Sequence, residues 1–116
     1  MQHIMRLQTE PFERIKSGIK TLELRINDPK RRHLRMGDTI TFHKLPEENE
    51  TITVTVTGLF PFPSFAALFD ALPPQWLGYT DADRDWLETS VRDIYPAEEE
   101  AEYGVLGIRI KLALFS

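Results

Sequence analysis

Cysteine is absent from this 116-residue chain. Its absence excludes disulfides, thiolate-ligated zinc and a thiol nucleophile, and it fits a reducing compartment. No run of about 18 apolar residues occurs, so no membrane span and no membrane partner are expected. The first residues lack the basic-then-apolar order of a secretory leader, and the cytoplasm is the expected location. His3, His33 and His43 are scattered, with no His/Asp/Glu spacing that suggests a ligand set, so no metal is expected. G-x-S-x-G, the P-loop and G-x-G-x-x-G are all missing, and no cofactor is expected. There is no internal repeat and no low-complexity tract.

What is present is ordinary globular usage. Hydrophobic residues make up 41% and charged residues 28%, enough for one core in a single domain spanning residues 1–116. The net charge of −4 is unevenly distributed. Residues 1–45 hold ten Lys/Arg against five Asp/Glu, whereas residues 46–116 hold four against thirteen. A basic half can offer a local site to a polyanion inside an acidic protein, or it can be plain solvated surface.

The patterning alternates short strands with a few helices. A strand is expected from His3 to Gln8, then a helix capped by Thr9, with Phe12, Ile15 and Ile19 in its apolar stripe and Gly18 as a left-handed stop. In the next strand Leu22, Leu24 and Ile26 share one face, expected to be the core, and Thr21, Glu23 and Arg25 share the other. Lys20 has the wrong parity for that polar row and belongs to the turn. Asn27 to Arg35 reads as a basic loop, and Gly37-Asp38 as a turn into the strand Thr39–Lys44. Thr51 to Phe60 is the clearest strand, with Gly58 marking a bulge and Pro61-Phe62-Pro63 a stiff loop after it. Ser64 caps a helix with the stripe Phe65, Leu68, Phe69, Leu72. Thr80 and Asp83 form a capping box for a helix that places Leu87, Val91 and Ile94 inward. An acidic turn over Ala97–Tyr103 precedes the last strand, Val105–Leu114. The irregular alternation argues against a doubly wound parallel sheet. It predicts an α+β fold: a small mixed barrel of about five to six strands with helices on its outside.

The densest chemistry lies at Gly18-Ile19-Lys20-Thr21-Leu22-Glu23-Leu24-Arg25, a G-x-K-x-x-E-x-R string at a helix–strand junction. Arg25 offers a planar fork for a phosphate or a base edge; Glu23 can accept from an amino group or act as a base. Lys20 can meet a phosphate. The plain alternative is a Glu23–Arg25 salt bridge beside a solvated lysine. The basic loop, with Arg31 and Arg32, either contacts phosphate or is solvated. Phe60, Phe62 and Phe65 either stack on bases or pack in the core. Tyr95 either binds a ligand or is a satisfied structural tyrosine. Glu98-Glu99-Glu100 reads as a solvated face.

This motif, with Gly37-Asp38, Phe62-Pro63-Ser64-Phe65 and Tyr103-Gly104-Val105 in sequence, resembles the ASCH domain, a family of small PUA-like barrels. The resemblance runs over nearly the whole chain. It implies an RNA- or nucleotide-binding module with a cleft holding Lys20, Glu23 and Arg25, a turn shaped by Gly18, and RNA or a nucleotide as partner. Thr21 and Tyr95 are also similar to the N4-acetylcytidine amidohydrolases, through Gly18-x-Lys20-Thr21 and Ile94-Tyr95-Pro96. That branch carries its nucleophilic threonine where this chain has Glu23. The resemblance therefore implies, as an alternative, a small hydrolase of a modified nucleoside or of RNA. In it Glu23 would be the acid/base group, and Lys20 would steady an oxyanion or phosphate. Nothing in the sequence sets the oligomeric state.

Overall fold

The computed structural model describes residues 1–79 and 84–113. Among them are five strands, β1 (Gln2–Leu7), β2 (Leu22–Ile26), β3 (Thr39–Lys44), β4 (Thr51–Phe62) and β5 (Val105–Leu112). Four α-helices accompany them, α1 (Thr9–Lys16), α2 (Phe65–Ala71), α3 (Arg84–Ile94) and α4 (Ala97–Tyr103), with 3-10 turns at Arg31–His33 and Pro74–Leu77. The strands form one sheet in the order β1-β3-β4-β5-β2. β1 runs parallel to β3, and the other pairings are antiparallel. Met5 and Leu7 on β1 share a core cluster with Leu106, Ile108 and Ile110 on β5, three places along the sheet, so the sheet curls into a half-barrel. This is the expected α+β class with five strands. β1 and β2 are its two edges, and they do not pair.

The elements form for the expected local reasons. The Thr/Val alternation of β4 buries Val54 and Val56 and turns the threonines outward. Between Val56 and Gly58 the β4–β5 register shifts, which is the expected bulge. A Cβ at Gly58 would sit 2.9 Å from the Phe60 ring. Gly18 takes φ +83 just past α1, a conformation that favours glycine. Ser64 caps α2 by accepting from the Ala67 N–H at 3.1 Å.

Several expectations fail for identifiable reasons. Gln8, not Thr9, is the α1 N-cap; Thr9 is already helical, and its hydroxyl donates to the Leu45 carbonyl. Ile19 lies past the helix end and is exposed. Pro61 and Phe62 continue β4, which beyond Thr55 pairs only with β5; that edge setting tolerates proline. Ala97–Tyr103 is a helix, and Glu100 is buried there, accepting from the Phe65 N–H at 2.8 Å and pairing with Arg92. Ile94 is exposed. The Thr80–Asp83 capping box and the end of the last strand at Leu114 lie outside the described residues.

The largest correction concerns β2. Its parity is as expected, but its faces are exchanged. Glu23 and Arg25 stand opposite Ile108 and Leu106, whose side chains belong to the inner cluster of the half-barrel. Directly opposite residues share a face, so the polar pair lies on the inner side. Leu22 and Ile26 instead join Phe65, Leu68, Leu77, Leu87, Val91 and Val105 in a second cluster under α2 and α3. Helices cover the outer face here, so β2 has no solvent face.

Candidate nucleotide cleft

Lys20, Glu23 and Arg25 converge at the free edge of β2. Glu23 is 4% exposed. Its Oε1 lies 3.1 Å from Lys20 Nζ. Its Oε2 accepts from Arg25 Nε at 2.8 Å. Arg25 Nη2 reaches across the gap and donates to the Arg6 carbonyl at 2.9 Å, so one guanidinium ties edge β2 to edge β1. Burial alone would push the Glu23 carboxyl up, but Lys20 and Arg25 outweigh it and the net direction is down. The Arg25 guanidinium is likewise disfavoured by burial, and Glu23 first, then the Tyr95 phenol, more than offset this, so the net direction is up.

The ion network is closed, yet it floors an open cleft of about 370 Å³. One wall comes from the end of β1 and the start of α1, with Arg6, Glu10 and Arg14; the other comes from α2 and α3, with Phe69, Trp86, Ser90 and Ile94. Four cations and two carboxylates line it, so it favours an anion. At its mouth Arg14 stacks on Tyr79 at 4.4 Å, and Tyr79 meets Trp86 edge-on at 4.9 Å. Among the described residues Glu23 is the one side-chain partner of the Lys20 ammonium, and Arg25 Nη1 has none. Both cations therefore keep N–H groups to offer a ligand.

The other expected residues divide. Tyr95 lines the cleft. Its hydroxyl donates to the Leu24 carbonyl at 2.7 Å, and its ring stacks on Phe65 at 5.4 Å. Burial, with Glu23 adding, pushes its phenol up to about 12, so it stays a donor. Gly18 and Thr21 line a neighbouring hollow instead, one that Lys20 shares. Thr21 is held by its backbone, donating to Trp76 and accepting from Ile110. Arg31 pairs with Asp28, and Arg32 donates to the Asn27 and Tyr103 carbonyls; neither lines the cleft. Phe65 is fully in the core, and Phe60 packs on Trp76. Arg14, Tyr79 and Trp86 were missed by the sequence reading. The signal available was a second stripe on α3, Trp86-Ser90-Ile94 at i, i+4, i+8, beside Leu87-Val91. Among the described residues no group of His, Asp and Glu is placed to hold a metal ion, and no helix is long and apolar enough to cross a membrane.

Comparison with known proteins follows the same lines. The ASCH domain model matches residues 5–113. The hypothetical protein PH0355 is 30% identical, with a TM-score of 0.85 over 97% of this chain and 100% of that one. Protein PF0455 from Pyrococcus furiosus is 29% identical, with a TM-score of 0.77 over 99% of this chain and 100% of that one. The crystal structure of ASCH from Zymomonas mobilis shares the fold at 16% identity and TM-score 0.65, covering 93% of this chain and 65% of that one. None of the curated proteins matches.

Proposed function

The chain belongs to the ASCH domain family, and from that premise we propose that it binds RNA or a nucleotide in the cleft floored by Lys20, Glu23 and Arg25. One observation carries this reading: a single buried carboxylate holds two cations side by side, with spare N–H groups, on the floor of an open cleft. Two fixed cations suit a phosphate or the acceptor edge of a base. A volume of about 370 Å³ suits a ligand of nucleotide size. Trp86 and Tyr79 at the mouth offer a stacking surface. Gly18 shapes the turn that aims Lys20, Tyr95 holds the β2 edge at Leu24, and Thr21 anchors the strand start. Arg31 and Arg32 act as structural clasps.

Titration of a labelled single-stranded RNA and of nucleoside monophosphates at low salt tests this. Binding is expected to weaken with salt, and Lys20→Gln and Trp86→Ala are each expected to lower affinity by roughly tenfold or more. No binding of either probe at low salt would overturn it.

The hydrolase alternative is less well supported. Both oxygens of Glu23 are occupied and its carboxyl is held below its ordinary range, which makes it a weak base. Acetylated cytidine and RNA are expected to survive incubation with the protein. Turnover that Glu23→Gln abolishes would replace binding with catalysis.

A further inference from the structure

Strand register assigns the outer face of the half-barrel residue by residue. Gln2, Thr39, Thr55 and Lys111 form one row across β1, β3, β4 and β5. Ile4, Thr41 and Thr53 form the next, and Arg6, His43 and Thr51 the third. None of these side chains belongs to either core cluster. No Asp or Glu stands in the three rows, although the protein carries eighteen and has a net charge of −4. Where the helix cover ends, Arg109 stacks on Trp76 at 3.7 Å. Arg109 and the exposed Lys111 have no carboxylate partner among the described residues. A hollow of about 260 Å³ lies between this face and the cleft, lined by Thr21, Ile110 and Lys111, and Lys20 lines both spaces.

We propose that the ligand is a single-stranded RNA longer than one nucleotide. One nucleotide sits in the cleft, and the strand leaves past Lys20 through the second hollow, its next phosphates meeting Lys111 and Arg109. The inference rests on the cleft reading and narrows it from a nucleotide to a strand. Charge complementarity selects the occupant: Arg109 and Lys111 have no carboxylate partner among the described residues, and Glu48 meets this face only at Arg6 in the third row, so the end of the face at Arg109 and Lys111 attracts a polyanion. Trp76, already stacked under Arg109, gives the guanidinium a fixed orientation toward a phosphate. The hydroxyls of Thr39 and Thr55 in the first row add donors along the same path.

The test compares a nucleoside monophosphate with an RNA octamer, each titrated against the wild-type chain, Lys111→Glu and Arg109→Gln. Lys111 is exposed and unpaired, so its variant keeps the fold; circular dichroism checks both variants. The octamer is expected to bind the wild type more tightly than the monophosphate. Lys111→Glu is expected to weaken the octamer roughly tenfold and reduce its salt dependence by about one phosphate contact, leaving the monophosphate unchanged. Arg109→Gln should act in the same direction. Equal octamer affinity in wild type and Lys111→Glu would overturn the strand path while leaving the cleft intact. Octamer binding that is sensitive to Lys111→Glu but unchanged in Lys20→Gln would overturn the cleft and keep the surface.

Discussion

Glu23 does most to set the properties of the site. It is a carboxylate without solvent, held by two cations on opposite oxygens. Glu23→Gln keeps its shape but leaves Lys20 and Arg25 without their counter-charge on the cleft floor. Removing one partner of a buried ion network costs about 3 kcal/mol or more, and urea unfolding at neutral pH is expected to show a loss of that order. A loss under about 1 kcal/mol would mean that both cations are solvated through the cleft. Asp38 gives a second prediction at this scale. His3 Nε2 lies 2.8 Å from its Oδ2, the Met1 amino group lies 3.1 Å from Oδ1, and the Arg35 N–H donates at 3.0 Å. The His3 hydrogen bond first, then that amino group, hold the carboxyl down to about 2. A carboxyl lowered in the folded state stabilises above its unfolded value, about 3.9, and the benefit fades as pH falls toward 2. The stability difference between the wild-type chain and Asp38→Asn should therefore shrink as pH falls below about 5. A difference that does not change with pH would show that the charge of Asp38 is immaterial.

Among the elements, the turn between α4 and β5 is the most constrained. Gly104 has φ +71, and a Cβ there would meet the Phe62 carbonyl oxygen at 2.7 Å. The Asn27 N–H donates to the Gly104 carbonyl at 3.0 Å, which fixes the end of β2 against this turn. Gly104→Ala combines a backbone penalty with a backbone clash, and a loss of roughly 2 kcal/mol or more is expected in thermal or urea unfolding. At Gly18, φ is also positive but no atom lies within 4 Å, so the alanine there is expected to cost only about 1 kcal/mol. These two glycines illustrate what was legible. Gly18 as a helix stop, the Gly58 bulge, the Ser64 cap and the Thr/Val strand follow from local stereochemistry, which a sequence displays. The faces of β2 do not. Alternation reveals that Leu22-Leu24-Ile26 and Glu23-Arg25 point opposite ways, but an edge strand of a curled sheet under helices has two covered sides. Which side faces the inner cluster depends on the distant residues Ile108 and Leu87. The aromatic mouth was hidden for the same reason: Arg14, Tyr79 and Trp86 meet only once α1 and α3 flank the cleft.

For the molecule as a whole, the decisive feature is that the barrel is left open and its opening is the candidate site. β1 and β2 are unpaired edges, and edge strands with free backbone groups invite association with other chains. Here Arg25 caps the Arg6 carbonyl on one edge, and Tyr95 caps the Leu24 carbonyl on the other. Arg25, a cation on the floor of the candidate cleft, is thus also the clasp that ties the two edges of the opening. Arg25→Lys separates these two roles. An ammonium preserves the positive charge beside Glu23, but it lacks the fork that donates to Glu23 and to the Arg6 carbonyl together. The lost bond to the Arg6 carbonyl is expected to cost about 1 kcal/mol. Hydrogen exchange should speed up at β1 and β2 while the β4–β5 ladder keeps its protection, because the opening widens without unfolding the sheet. RNA affinity should fall by more than the charge-conserving change alone predicts, since the two floor cations no longer keep their spacing. Unchanged exchange at both edges, with full affinity, would show that packing of α1 and α3 holds the opening and that Arg25 contributes charge alone.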